Sequence, residues 1–389
     1  MRPYSTKMST KFYNNFTLGI VGGGQLGRML IQDAISFDID THVLDSDVNA
    51  PCKHICNQFE VGNLKDFDTV YNFGKQCTLV TIEFEHINAD ALQKLEDEGI
   101  KVFPQPRVLK LVQDKGLQKQ FYKDNNIPSS DFILVNSKEE LKANANFFPC
   151  FQKMRKSGYD GKGVIKLNSI NDIDKAFDEP SILETLIDFE KELSVIVARN
   201  EKGQISHFPA VEMEFSAEAN LVEFLFSPAN ISKQVEEEAI RIARTIAEKL
   251  QIVGILAVEL FLTKDGKVLV NEIAPRPHNS GHQSIEGNYT SQYEQHLRAI
   301  LNLPLGNTAI KKPSVMVNVL GEKGYEGPVV YEGIDEILAM DGVKLHLYGK
   351  KNTKSFRKMG HITVIDETIE SAKQKAKLVK EKLRVVSGK

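Results

Sequence analysis

Two acids stand out because of where a hairpin would put them. Residues 257–262 are apolar apart from Glu259, and 268–272 form a second apolar run ending in Asn271 and Glu272. Between them lies Lys264-Asp265-Gly266-Lys267, and Asp-Gly between two such runs predicts a two-residue hairpin turn. That turn sets Lys264 opposite Lys267, Leu262 opposite Leu269 and Glu259 opposite Glu272. Directly opposed carboxylates lie about 5 Å apart at Cβ and repel. A divalent cation removes that cost, and carboxylates plus substrate phosphates are how proteins usually hold Mg²⁺. The competing reading is two solvated edge acids, each facing a lysine. The apolar neighbours favour the metal pair.

Two glycine-rich stretches could handle phosphate. Gly158-Tyr159-Asp160-Gly161-Lys162-Gly163 lies between Gln152-Lys153-Met154 and Val164-Ile165-Lys166. Both flanks read as strands, so the loop is a hairpin tip. Its N–H groups can fold over triphosphate oxygens, with Lys153 and Lys162 adding charge. An ordinary surface hairpin with solvated lysines is the alternative. Leu183-Glu184-Thr185-Leu186-Ile187 ends another strand, where backbone amides could meet an adenine ring; a plain strand end would look the same. Upstream, Gly22, Gly24 and Gly27 fit G-x-G-x-x-G between a strand and a helix, and Asp45 closes the next strand. On its own this loop is a dinucleotide site, a tight turn for helix–sheet packing, or an anion site at a helix N-terminus. No redox residues follow it, whereas a nucleoside-triphosphate site does.

Rigid elements must carry these groups, and the first hundred residues alternate strand and helix. The run 18–21 ends in glycines; Leu26, Met29, Leu30 and Ala34 recur at helical spacing; 41–44 closes at Asp45; 79–82 ends at Glu83. Asn88 can cap a helix through Leu95, with Gly99 just past its end. Such alternation implies an open, mostly parallel sheet covered by helices. A polar helix spans about 107–126 and stops at Ile127-Pro128. Residues 148–228 hold short β-rich runs. Ile240, Ala243, Ala247 and Leu250 mark an amphipathic helix, and another covers about 292–301. Pro304 and Gly306 suggest a boundary before a small α/β module.

The bulk numbers exclude some classes. With 389 residues, 41% hydrophobic, the chain can build two or three ordinary cores. Its 49 basic against 52 acidic residues do not suggest a broad nucleic-acid surface. No run reaches the ~18 apolar residues of a membrane span. Residues 1–15 are polar, without a secretory core, and read as a loose extension. Cys52, Cys56, Cys77 and Cys150 read as reduced thiols of a cytoplasmic protein; Cys52, His54 and Cys56 lack the second pair a zinc site needs.

A lysine before a glycine-rich hairpin, a strand-end hinge and two hairpin-opposed acids resemble the ATP-grasp superfamily. Further runs make the chain similar, within it, to the 5-(carboxyamino)imidazole ribonucleotide synthase family of purine biosynthesis. They are Gly22-Gly23-Gly24-Gln25-Leu26-Gly27-Arg28-Met29, Glu83-Phe84-Glu85-His86, the 158–163 loop, residues 271–282, and 292–300. The resemblance covers nearly all of 17–365, and 271–282 is its most specific part. It implies an α/β ATP-grasp fold: an extension (1–16), a Rossmann-like open parallel sheet domain (17–114), a two-part ATP-grasp domain (115–305) with a mobile lid at about 148–228, and a small C-terminal α/β domain (306–389). It also implies a homodimer with no nucleic-acid or membrane partner.

The reaction it implies is ATP-dependent. Bicarbonate becomes carboxyphosphate, and the exocyclic amine of aminoimidazole ribonucleotide is carboxylated. By position, Glu259 and Glu272 would hold Mg²⁺, with Mn²⁺ as an alternative, and Asn271 would sit beside them at the nucleotide. Lys115, Lys153 and Gly158, Tyr159, Asp160, Gly161, Lys162 and Gly163 would meet ATP phosphates, Glu184, Thr185, Leu186 and Ile187 the adenine, and Glu192 the ribose. Tyr159, Asp160, Arg276 and His278 would act on bicarbonate and ribonucleotide. Gln25, Leu26 and Glu83, with Lys350, Arg357 and Lys358 in a basic segment, would hold the ribonucleotide. A structural histidine and a solvated basic loop are the alternatives for His278 and for that segment. Three positions depart from the pattern: Lys115 gives a point charge where arginine is also used, Phe215 replaces a polar run near the nucleotide, and Ala274 stands where many relatives carry a third metal ligand. Rival readings are another ATP-grasp ligase, such as a formate-dependent glycinamide ribonucleotide enzyme or a biotin carboxylase-like protein, a nicotinamide-dependent oxidoreductase, and a non-catalytic nucleotide-binding subunit.

Overall fold

The computed structural model describes residues 16–156, 163–216, 218–219 and 221–388. Its first unit is a five-stranded sheet, in the order Gln58–Val61, Asp40–Asp45, Thr17–Val21, Leu79–Ile82, Lys101–Phe103, with every pair parallel. The alternation of strand and helix required that arrangement. The short strand Gln58–Val61 and the two-turn helix Phe67–Gly74 were not read from sequence. Asn88 does cap its helix, accepting from Ala91 N–H, and Gly99 takes φ +91° just beyond the C-terminus.

The polar helix of about 107–126 is two helices, Pro106–Val112 and Lys115–Asp124. Asp114 breaks it. Its carboxylate caps the second helix through the N–H groups of Gly116 (2.9 Å) and Leu117 (3.2 Å). It also takes a forked pair of bonds from Arg155, at 2.9 and 2.7 Å. The cap starts a new helix with Lys115 in its first turn.

Two further sheets carry the rest. A four-stranded antiparallel sheet, ordered Phe132–Val135, Ser181–Thr185, Cys150–Met154, Val164–Leu167, has its own small core around Val135, Leu141, Leu167 and Leu183. A nine-stranded antiparallel sheet begins at Val268–Ala274. It passes through Gly254–Thr263, Phe189–Arg199, Val211–Phe215, Val222–Ser227, Ser314–Leu320 and Lys358–Ile365 to Val343–Leu347, with Ile205–His207 alongside. The central and C-terminal parts of the chain therefore share one sheet. Helix Lys233–Leu250 packs beneath its first strands through Ala239, Ile242, Ala243 and Ile246. Among the described residues no helix is long and apolar enough to cross a membrane.

The hairpin carrying the two acids differs from expectation in its turn. Leu262 pairs with Val268, not Leu269. The loop spans three residues, Thr263 N–H bonds Lys267 C=O, and Gly266 takes φ +81°, the left-handed residue of a three-residue turn. A bulge between Leu260 and Glu259 then inserts Asn271 and shifts the register by one. The two irregularities cancel, and Glu259 stands opposite Glu272 as the simpler turn had required.

Candidate active site

The acid pair is the centre of a charged cleft. Glu259 lies on a central strand, held away from water; burial, then Glu272 and Glu192, push its carboxyl well above the usual carboxylate range. Glu272 goes the other way, because the Lys115 ammonium holds it ionised from 3.3 Å. Unequal protonation is how two close carboxylates relieve their repulsion without a cation. Glu192, opposite Phe261 on the neighbouring strand, is pushed up to about 7 by burial and then Glu272.

On one side of the pair the four-stranded sheet supplies cations. Lys153 reaches Glu184 at 3.1 Å, and Ser130 donates to the same carboxylate oxygen at 3.1 Å. Burial would raise Glu184, but Lys153 and then Lys119 hold it ionised. Lys119, only 2% exposed, donates to the Ser130 carbonyl (3.0 Å) and hydroxyl (2.7 Å), and burial pulls its ammonium down to about 8. Lys115, Lys119, Lys153, Ile182, Glu184, Asn271 and Glu272 line one small cavity. Three lysines around a narrow space are suited to phosphate oxygens. Thr185, Leu186 and Ile187 follow Glu184 at the strand end, with Thr185 N–H already bonded to Asp131 C=O.

On the other side stand Arg276, His278 and Lys358. Arg276 forms a 2.7 Å ion pair with Glu85, which keeps the buried guanidinium charged against the cost of burial. Its Nε has no partner. His278 Nε2 faces Glu259 Oε1 at 3.5 Å. Its Nδ1 accepts from Ser280 N–H (3.3 Å), so the ring proton is on Nε2. Burial and then Arg276 and Lys358 pull His278 down to about 3, so the ring is neutral. The His278 backbone is held at both ends by the Gln292 amide, N–H to Oε1 at 2.9 Å and C=O from Nε2 at 2.7 Å.

The first glycine loop is filled from within the protein. Gly23 N–H bonds Asp45 (2.5 Å), and Gly24 and Gly27 N–H bond the two oxygens of Glu83 (3.0 and 3.2 Å). A Cβ at Gly22, at φ +100°, would lie 2.7 Å from Glu83 Cγ. The acid that a dinucleotide site would spend on ribose is thus spent on the loop. Glu83 is partly buried, and burial pushes it up to about 7. Gln25 and Leu26 open the helix beside it.

The expected residues are not all in one place. Glu259, Glu272, Lys115, Lys153, Glu184, Glu192, Asn271, Arg276 and His278 converge, and Lys358 is close enough to act on Glu259 and His278 electrostatically. Lys350 bonds the Lys358 carbonyl at 2.7 Å, and Arg357 bonds the Asn352 carbonyl at 2.7 Å. Phe215 packs into an apolar cluster with Met213 and Leu225, and Ala274 packs beside Ile196 and Phe208. Gly163 is present, at φ +74°, and bonds Met154 N–H at 2.9 Å. Gly158, Tyr159, Asp160, Gly161 and Lys162 lie outside the described residues. Sequence reasoning missed Lys119, Ser130 and, as the partner of Arg276, Glu85. The helix of Lys119 is polar along its length, so its sequence carries no signal that this lysine is buried.

Comparison with known proteins identifies the parts of the chain. Residues 16–113 match the ribonucleotide synthetase preATP-grasp domain, 120–293 the ATP-grasp domain, and 314–375 the phosphoribosylaminoimidazole carboxylase C-terminal domain. The chain is 37% identical over 370 residues to N5-carboxyaminoimidazole ribonucleotide synthase of Aquifex aeolicus, covering 93% of this chain and 96% of that one. It is 37% identical to the chloroplastic phosphoribosylaminoimidazole carboxylase of Vigna aconitifolia, matching 91% of this chain but spanning only 65% of that longer protein. Among solved structures, N5-carboxyaminoimidazole ribonucleotide synthetase from Thermotoga maritima superposes with a TM-score of 0.89 at 43% identity, covering 96% of this chain and all of that one. The Aspergillus clavatus enzyme in complex with ADP and 5-aminoimidazole ribonucleotide superposes with a TM-score of 0.86 at 32% identity, covering 95% and 98%.

Proposed function

The chain belongs to the N5-carboxyaminoimidazole ribonucleotide synthase family, and on that footing we propose that it is an ADP-forming carbon–nitrogen ligase. It uses ATP and bicarbonate to carboxylate 5-aminoimidazole ribonucleotide in de novo purine biosynthesis. The observation that carries the reading is the Glu259–Glu272 pair, with lysines that suit a triphosphate on one side and Arg276, His278 and Lys358 on the other.

The residues fit a divalent cation. Two carboxylates on facing strands, one destabilised by its neighbour's charge, give an all-oxygen donor pair of the kind Mg²⁺ takes. Among the described residues no third His, Cys, Asp or Glu completes a cage, and Ala274 cannot. The remaining positions fall to nucleotide phosphates and water. Bound there, Mg²⁺ or Mn²⁺ would neutralise charge on the β- and γ-phosphates.

The protein's own groups then divide the work. Lys115 and Lys153 hold phosphate oxygens, Asn271 lies beside them, Glu184, Thr185, Leu186 and Ile187 receive the adenine, and Glu192 the ribose. A bicarbonate oxygen attacks the γ-phosphorus and ADP leaves. The carboxyphosphate loses phosphate to give CO₂, and the exocyclic amine adds to that carbon and sheds a proton. Arg276 pairs with the anionic intermediate. His278, neutral with its proton on Nε2, is set up to donate to an oxyanion and not to take the amine proton. Tyr159 and Asp160, with the rest of the 158–163 loop, are assigned there by resemblance. Lys350, Arg357 and Lys358 take the ribonucleotide phosphate, with Gln25, Leu26 and Glu83 at its other end. A cover closing over the intermediate keeps water out. The separate four-stranded sheet is the unit we assign to that motion. Free cysteines accord with a cytoplasmic enzyme, and a homodimer is what the resemblance implies.

The test is ADP release with Mg-ATP, adding and omitting the ribonucleotide and bicarbonate in turn. ADP formation should require the ribonucleotide and fall at least about a hundredfold in Glu272→Ala. No stimulation by the ribonucleotide in a folded protein would refute the assignment. Light scattering of the eluting protein tests the dimer.

A further inference from the structure

Three imidazoles, His282, His361 and His346, lie ring against ring beside the basic segment. His346 and His361 are direct partners on neighbouring strands, with ring centroids 4.4 Å apart and planes within 7°. The His361 ring also lies 4.6 Å from that of His282, tilted from it by 32°. Each ring is oriented by its own bond. His346 Nε2 pairs with Glu286 at 2.8 Å, His361 Nδ1 with the Tyr348 hydroxyl at 3.1 Å, and His282 Nδ1 with the Tyr293 hydroxyl at 3.0 Å.

The stack is connected to residues of the proposed mechanism. The Gln292 amide that holds the His278 backbone also donates to His282 Nδ1, at 3.2 Å. The middle ring, His361, stands three residues after Lys358 on the same strand, and its partner Tyr348 two residues before Lys350. The Lys350 ammonium lies 5.7 Å from the Tyr348 ring and bonds the Lys358 carbonyl. His282 and His361 are fully buried, and burial keeps both neutral, so the rings stack without repelling each other or Lys358. Among the described residues His361 Nε2 has no partner. A core built for stability alone would place an apolar ring there. Imidazoles keep a fixed orientation through their directed bonds, which an apolar ring cannot do.

We propose that His346, His361 and His282 form a positioning strut that fixes Lys358 and Lys350 relative to the segment of Arg276 and His278, and so sets the affinity for the ribonucleotide's phosphate. The inference rests on the reading of Lys350 and Lys358 as that phosphate's site. None of the three rings is assigned a contact with substrate.

Steady-state kinetics on the full chain test it, with KM for ATP and for the ribonucleotide measured separately. His361→Ala removes a ring from the stack and should raise the ribonucleotide KM on the order of tenfold, with the ATP KM within about twofold. His361→Phe keeps a ring of similar size but loses the bond to Tyr348 that orients it, so it should leave most of that loss in place. Lys358→Ala should raise the same KM, and adding His361→Ala to it should then raise it little further, because a strut has nothing left to position. Should His361→Ala fail to fold, His346→Ala, on the outermost and partly exposed ring, carries the same expectation. Equal rises in both KM values, or additive effects with Lys358→Ala, would overturn the strut. An unchanged ribonucleotide KM in Lys358→Ala would overturn the phosphate-site reading beneath it.

Discussion

Lys119 is a cation held where its charge is costly. Its ammonium is almost wholly buried and is bonded to the neutral oxygens of Ser130, so burial pulls it down to about 8. A pKa lowered by folding means the fold prefers the neutral amine. The contribution to stability is therefore present at high pH and is lost as pH falls from about 10.5 through 8. Urea unfolding of the wild type and Lys119→Met at pH 8 and pH 10 isolates this effect, because the other titrations cancel in the difference. The wild type should gain about 2 kcal/mol on the variant over that range; parallel profiles would show that the lysine is not desolvated. Glu85 poses the converse problem, since it is the near counter-ion of a buried guanidinium. Glu85→Gln keeps the shape and removes the charge. It should cost on the order of 2–3 kcal/mol in unfolding free energy and raise the bicarbonate KM, because Arg276 loses the group that orients it. Unchanged stability would mean that Glu83 and Glu272, the more distant acids acting on Arg276, suffice.

The hairpin Gly254–Thr263 to Val268–Ala274 shows how an element can deliver the right pair by a different route. Apolar runs around Asp-Gly identify two strands, and the acids inside them are visible in sequence. A three-residue turn and a bulge, each one residue out of step, are not, because both depend on the strands' neighbours in the sheet. Gly266 is the residue the turn depends on, at φ +81° with no atom near its missing Cβ. Gly266→Ala should cost about 1 kcal/mol in thermal or urea unfolding, from backbone conformation alone, and leave kcat unchanged because the bulge resets the register before Glu259. A changed kcat would show that the turn, and not the bulge, fixes the acids. The parallel sheet was legible for the same reason as the hairpin: strand and helix alternate with clear apolar spacing. The break at Asp114 was not, because a cap and a continuing polar helix share the same residue types until Arg155 is seen beneath the carboxylate. Lys119 and Glu85 were illegible because burial and an ion pair 191 positions along the chain decide their roles. The stacked histidines were illegible for the same reason.

At the scale of the molecule, the cores are unequally joined. The nine-stranded sheet runs from the acid strands into the C-terminal part, so those regions share backbone hydrogen bonds throughout. A second core joins the N-terminal sheet to them, through Leu18, Ile20 and Leu30 against Tyr293, Leu297 and Tyr348. The four-stranded sheet instead encloses a small core of its own, and polar groups link it to the rest, Arg155 to Asp114 and Lys153 and Glu184 at the cleft. Cooperativity follows shared burial, so this sheet should unfold as a separate unit, below the main transition. A bound nucleotide changes that balance, because Lys115, Lys119, Lys153 and Glu184 line the cleft with Asn271 and Glu272 of the large sheet. Ligand that requires both walls stabilises only the closed arrangement, by about 2.7 kcal/mol at a hundredfold excess over its dissociation constant. Calorimetry should therefore show two transitions without ligand and should bring the lower one up toward the higher with Mg-ADP. In Glu272→Ala, at the same Mg-ADP concentration, the lower transition should stay near its unliganded position. A single transition in the unliganded protein would mean that the polar contacts across the cleft already bind the two sheets into one folding unit.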